Sequence, residues 1–181
     1  ERGQRTWSLL LHVLRSWLAG ESFAAGGVDG EVWPDVCRMA QLHRVLPILH
    51  RVVEPVQGSL PAGAWEMLHD RYLVHAARGT AGVAELDRVI HELEASGVAV
   101  LPLRGPLFAE WAYGDAAARQ SADLDLLVRP HQAAAAMAVL ERTGYSPQQR
   151  LAARQSAAYA RFQTERAFLA GGGRGVVDLH W

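Results

Sequence analysis

The stretch "QSADLDLLVRP" at 120–130 sets Asp123 and Asp125 one residue apart, with Leu124, Leu126 and Val128 between and after them. In a β-strand successive side chains point to opposite faces, so the two carboxylates share one face and the three apolar residues line the other. The run Leu124 to Val128 is short enough for a strand buried by packing. Carboxylates a few Å apart repel, which raises one pKa unless a cation takes up the charge, and a hard divalent ion meets that need. The pair by itself admits a second reading: a strand-end turn in which Asp123 bonds nearby amides and Asp125 is solvated. A third aspartate, Asp178 in "VVDLHW", follows 53 positions after Asp125 and also falls on an apolar, strand-like segment. Strand-borne carboxylates that converge on one sheet edge suit phosphoryl transfer, where protein groups mainly hold divalent ions and align a nucleophile. Paired ions roughly 3.5–4 Å apart, held by shared carboxylates, supply both.

Helices come first in the chain. From Arg5 to Leu18 the residues Trp7, Leu10, Leu11, Leu14 and Leu18 recur at three- and four-residue spacing, which predicts an amphipathic helix ending near Gly20. The Gly-rich "GESFAAGGVDG" reads as a loop. "PDVCRMAQLHRVLPILHRVV" then resumes the helical period, with Pro34 in a first turn and Pro47 as a break or kink, so a second helix or a helix pair is expected. After the connector "PVQGSLPAG", Trp65 to Ser96 reads as one long helix, or as two interrupted around "RGTAG". Residues 1–96 thus form a helical N-terminal region. The pattern changes at "SGVAVLPLRG", a Gly-bounded run of valine and leucine that predicts a buried first strand. Pro106 to Tyr113 is a short helix, "GDAAARQSA" a loop, and Asp123 to Val128 the second strand. "PHQAAAAMAVLERTG" is helical, with Pro130 ahead of it and Gly144 as its stop. Leu151 to Ala158 is a weakly patterned helix, and "RFQTERAFLA", "GGGRG" and "VVDLHW" are strand, turn and strand.

The segments "VLPLRGPLFAEWAYGD", "RQSADLDLLVRP", "VLERTGY" and "VVDLHW", in this order, resemble the uncharacterised nucleotidyltransferase-like family of the DNA polymerase β superfold. The helical leader with "MAQLHRVLPILHRVV" is similar to what precedes the core in such proteins. The resemblance implies an α+β fold: a helical N-terminal region, then a polymerase-β-like nucleotidyltransferase core with a small mixed sheet over 97–181. It implies a nucleoside triphosphate as co-substrate and Mg²⁺ or Mn²⁺ as cofactor. Carried over residue by residue, Asp123, Asp125 and Asp178 are the catalytic and metal-binding carboxylates, and Gly105 is the turn glycine that approaches the phosphates. Arg104 stands where the family often carries a lysine, which keeps the charge but replaces a point ammonium with a planar fork. Where the superfold shows Gly-Ser or Gly-Gly, this chain has Gly105-Pro106, and Pro106 offers neither hydroxyl nor N–H. The implied activity is transfer of a nucleoside monophosphate to an acceptor, whether small molecule, peptide or protein. The other reading is a module that keeps the fold and binds nucleotide or a partner without transfer.

Composition narrows the partners. The chain has 181 residues, 50% of them hydrophobic and 20% charged, with formal net charge −1, enough for one well-packed domain or two small ones. Such a balance predicts no extended nucleic-acid track. No apolar run reaches the roughly 18 residues of a membrane helix and no signal segment opens the chain, so a cytoplasmic protein with no membrane partner is expected. The chain begins at Glu1 and stops at Trp181 straight after a strand-like segment, which reads as a core incomplete at its C-terminus. The lone Cys37 excludes an internal disulfide and a cysteine-rich zinc site, and reads as buried filler. Neither His43 with His50 nor His69 with His75 has the i, i+4 spacing of a helical zinc pair. Arg119, four residues before Asp123, reads either as a triphosphate contact or as an exposed loop arginine, and Arg129 as a solvated strand end. His180 shares the face of Asp178 and reads as a group near the metal site or as a packed histidine bonded to backbone. Most of the tryptophans read as core or interface anchors.

Overall fold

The structure, a computed structural model, describes residues 1–181 apart from 26–28, 116, 120, 122, 150–162 and 174. The chain divides into two units, Glu1–Arg78 with Ala117–Gln120, and Gly79–Ala116 with Ser121–Trp181. In the first unit, helices α1 (Arg2–Ala19), α2 (Trp33–Leu42) and α3 (Leu46–Val53) join the opening turns of α4 (Ala64–Ala95). Helix α1 stops where Gly20 adopts φ 67 and returns its amide to the last turn, as a left-handed C-terminal cap does. The buried side of α1 is Thr6, Leu10, Val13 and Ser16, whereas Trp7 and Leu18 of the expected stripe are exposed. The apolar side of this helix is broader than the face it buries, so periodicity alone does not choose which part of it packs; contact with α2 and α3 does. Between α2 and α3 the chain turns through Arg44, at φ 60, and Pro47 lies in the first turn of α3 rather than kinking a continuous helix. Proline is suited there because a first-turn N–H has no intrahelical partner to lose.

The core of this unit gathers Leu10, Val13, Trp33, Val36, Leu46, Leu49 and Leu68. Cys37 is fully enclosed within it, and burial pushes its thiol up to about 11, so it packs as an inert side chain. His50 and His69 do meet, but ring to ring, with His50 Nε2 3.0 Å from His69 Nδ1. One nitrogen donates and the other accepts, an arrangement that uses the lone pair a metal would need.

Helix α4 runs unbroken through "RGTAG", and from Gly79 onward it serves the second unit. There the strands β1 (Val100–Pro102), β2 (Asp123–Val128), β3 (Tyr145–Pro147), β4 (Glu165–Ala170) and β5 (Val176–His180) form one sheet in the order β1-β2-β5-β4-β3. The β2–β5 pair is parallel and the remaining pairs are antiparallel, so the sheet is mixed. Helix α5 (Pro106–Tyr113) follows β1, and α6 (Ala133–Arg142) follows β2. Alternation along the strands places Leu124, Leu126, Val128, Phe168, Val177 and Leu179 on one face, where they pack with Leu86, Val89 and Leu93 of α4 and Ala136 and Leu140 of α6. Each such leucine, valine or phenylalanine stabilises the fold by roughly 1.5–3 kcal/mol, so the register that keeps them inside is strongly set.

Two local ties hold the strand ends. Gln132 accepts from the Ala99 amide and donates to the Gly97 carbonyl at 2.9 Å, pinning the entry to β1. Tyr145 on β3 donates its hydroxyl to Glu85 of α4 at 2.6 Å, and Arg88 completes the cluster. Burial and the Glu85 carboxylate together hold the Tyr145 phenol well above its usual range. Strand β1 differs from the buried strand expected of "VAVLP": it lies at the sheet edge, and Leu101 is 58% exposed. A valine-leucine run of this length looks alike whether one face or both are covered. The helix expected over Leu151 to Ala158 falls outside the described residues.

Candidate functional site

With the apolar residues turned into the core, the opposite face of β2 and β5 receives Asp123, Asp125, Asp178 and His180. The parallel register sets Asp125 directly beside Asp178, and Asp123 beside Val176. Side chains paired this way in adjacent strands point the same way, so the D-x-D pair and the third aspartate form one acidic edge. Asp125 is buried, while Asp123 and Asp178 are half-buried. The carboxyl of Asp178 is raised above its ordinary range, first by burial and then by the negative charges of Asp123 and Asp125; Glu165 adds to the rise and His180 opposes it.

The turn before α5 is built against the same edge. Gly105 takes φ 94 and ψ −153, a region essentially reserved for glycine, and it is buried. The Leu103 amide donates to the Asp125 carbonyl at 2.9 Å, carrying the β1–β2 ladder as far as the turn. Ser121 donates its hydroxyl to the Asp123 carbonyl at 3.0 Å. A Cβ on Gly105 would stand 3.5 Å from Ser121 Oγ and 3.7 Å from the Asp123 carbonyl oxygen, so this backbone closes on the start of β2. Pro106 opens α5 immediately after it. Proline fits that first helical position, and the amides of Leu107 and Phe108 are left without intrahelical partners.

His180 is the residue whose place differs most from a backbone-bonded histidine. Its Nε2 lies 3.0 Å from Asp125 Oδ1 and its Nδ1 3.5 Å from Glu165 Oε2. Glu165 opposes His180 across the antiparallel β4–β5 pair, and Leu127 opposes it on β2. Glu165 had no signal in the sequence, because nothing in "RFQTERAFLA" tells which strand it will pair with or at what offset. Arg104 is exposed next to Gly105. Arg119 is half-buried in the segment Ala117–Gln120, which groups with the first unit. Among the described residues, no group of three or more His, Cys, Asp or Glu is gathered closely enough to enclose a metal ion by itself. At the far end of β1 and β2 an open apolar pocket of about 390 Å³, lined by Leu101, Leu127, Arg129 and Trp181 among others, shares no residue with the acidic edge. Of the tryptophans, Trp33 is buried in the helical core as expected, while Trp111 on α5 is 82% exposed.

A family model described as "Uncharacterised nucleotidyltransferase" matches residues 29–181, and the chain belongs to that family. Searches of curated proteins and of solved structures give no match.

Proposed function

We propose that the chain transfers a nucleoside monophosphate from a nucleoside triphosphate to a small-molecule, peptide or protein acceptor, with Mg²⁺ or Mn²⁺ as cofactor. The observation that carries this reading is the in-register pair Asp125–Asp178 beside the Gly105 turn. The donor set fits a hard divalent ion, since it consists of carboxylate oxygens whose mutual repulsion a cation relieves. Mg²⁺ is usually held by one or two carboxylates together with substrate phosphates rather than by an all-protein cage, so Asp123, Asp125 and Asp178 need not close around a centre on their own. The bound ion would neutralise phosphate charge and keep the reacting oxygens in line.

Each residue then has a task. Asp123 and Asp125 hold the cation, and Asp178 completes the set. Gly105 lets the backbone approach the phosphates, with Arg104 and the Leu107 and Phe108 amides as the donors on offer. In the reaction the acceptor oxygen forms a bond to the α-phosphorus while the bond to the bridging oxygen breaks and pyrophosphate leaves. The acceptor proton passes to Asp178, which lies beside Asp125 on the neighbouring strand. Asp123→Asn and Asp125→Asn are each expected to abolish transfer and to remove the metal-dependent stabilisation by nucleotide, which in the native chain follows from binding to the folded state alone. Turnover retained in both variants would overturn the proposal.

One observation favours a second reading, a nucleotide-binding module without transfer. Pro106 removes both an amide and a hydroxyl from the phosphate turn. That reading predicts a metal-dependent rise in Tm with a nucleoside triphosphate and no pyrophosphate release with any acceptor, so the two measurements separate the readings.

A further inference from the structure

One of the two oxygens of Asp125 is already engaged. His180 follows Asp178 by two on β5, faces the same side, and stands between Asp125 and Glu165, on the strands to either side. The two contacts are unequal. The one to Asp125 is 3.0 Å between side chains only 20% and 12% exposed, whereas the one to Glu165 is 3.5 Å and reaches a carboxylate 68% exposed. The inner contact is a hydrogen bond in a shielded place; the outer one is long and open to water. An N–H at Nε2 exists both in one neutral tautomer and in the imidazolium ion, so donation to Asp125 does not depend on which is present.

A carboxylate turns easily about its last torsion, because that rotor has only broad minima. Fixing Oδ1 with a donor removes the freedom and leaves Oδ2, which has no hydrogen-bond partner among the described residues. Carboxylates that ligate metals are commonly held by such an outer hydrogen bond.

We infer that His180 is the positioning residue of the acidic edge: by donating Nε2–H to Asp125 Oδ1 it holds Oδ2 for a divalent cation shared with Asp123 or Asp178. The inference rests on the nucleotidyl-transfer reading above. His180 touches no reacting atom and acts through Asp125.

The test titrates the full chain with Mn²⁺ alone, following the free-ion paramagnetic resonance signal, and records metal-free Tm in parallel. Glutamine places its amide nitrogen near the position of Nε2, whereas asparagine reaches only that of Nδ1. His180→Ala and His180→Asn are expected to weaken Mn²⁺ binding by about 10-fold or more, the range for lost outer-shell partners, and His180→Gln to recover most of it. In an Asp125→Asn background, removing His180 is expected to change Mn²⁺ affinity no further, since both substitutions break one coupling. Metal-free Tm should not follow the Gln, Asn, Ala order, which separates positioning from a packing role. If His180→Ala binds Mn²⁺ like the native chain, positioning is overturned and the transfer reading stands. A further loss in the Asp125→Asn background would make His180 a direct ligand and overturn it equally. No Mn²⁺ binding by the native chain would overturn this inference, and would remove the transfer reading with it if Mn²⁺ and a nucleoside triphosphate together also leave the native Tm unchanged. Should His180→Ala fail to fold, the Gln–Asn comparison decides.

Discussion

Asp178 bears the repulsion of the acidic edge, and its sign can be worked out. A carboxyl raised above its ordinary value of 3.8 binds its proton more tightly in the folded chain than in the unfolded one. The stability it contributes is fully present below that ordinary value and is lost as pH rises through the folded value. At neutral pH the ionised edge therefore strains the fold, and Asp178→Asn is expected to raise the Tm of the metal-free chain by a few degrees while transfer is lost. The gain should vanish in acid, where both chains are uncharged at this position; an equal or lower Tm at neutral pH would show that the edge carries no such strain. Stability gained by removing a functional charge is the usual trade at sites of this kind. At this scale the sequence was informative in part. The i, i+2 spacing of Asp123 and Asp125 dictates a shared face whatever the partner strand. That Asp178 falls beside Asp125 and not beside Asp123, that His180 reaches Asp125, and that Glu165 lies on the far side of that ring all depend on strand register, which residue spacing does not contain.

Among the elements, the β1–α5 turn is where local chemistry and site coincide. A residue other than glycine at φ 94, ψ −153 costs of order 1–3 kcal/mol in backbone strain, and the room around the added Cβ in ordinary contact with Ser121 and Asp123 does not relieve it. Gly105→Ala is expected to destabilise by that amount in chemical denaturation. Gly3→Ala, within α1 with nothing within 4 Å of the new Cβ, should be neutral or stabilising by roughly 0.5–1 kcal/mol. Equal effects from the two would mean that the turn at Gly105 relaxes freely. The glycine and the following proline were visible in the sequence as a strand stop and a helix start, because both signals are local. The face of α1 and the exposure of β1 were not, since each is settled by what packs on the element rather than by its own pattern. β3 escaped notice for a related reason: "YSP" is three residues with no alternation, and it is a strand only because β4 pairs with it.

For the molecule as a whole, charge bears on which acceptors the proposed transfer would use. Eighteen basic residues, every one an arginine, stand against 19 acidic ones. Several of those arginines already face carboxylates: Arg2 and Arg38 at Asp35, Arg5 at Asp29, and Arg88 at Glu85. Binding a nucleic acid releases counterions in proportion to the phosphates that free cations neutralise, and this term supplies nearly all non-specific affinity. A near-neutral chain with several paired arginines and an edge of three carboxylates offers little of it, and the edge repels a long polyanion wherever it is not covered by a cation. On the proposed reading the divalent ion and triphosphate would restore the balance only at the scale of one nucleotide, which favours a small-molecule, peptide or protein acceptor over a nucleic-acid polymer. In fluorescence anisotropy at physiological salt, single-stranded RNA and duplex DNA are expected to show no saturable binding, with or without Mg²⁺. Tight binding whose logarithm falls steeply with the logarithm of salt would place a nucleic-acid end among the acceptors and require a basic track that the charge balance does not foretell.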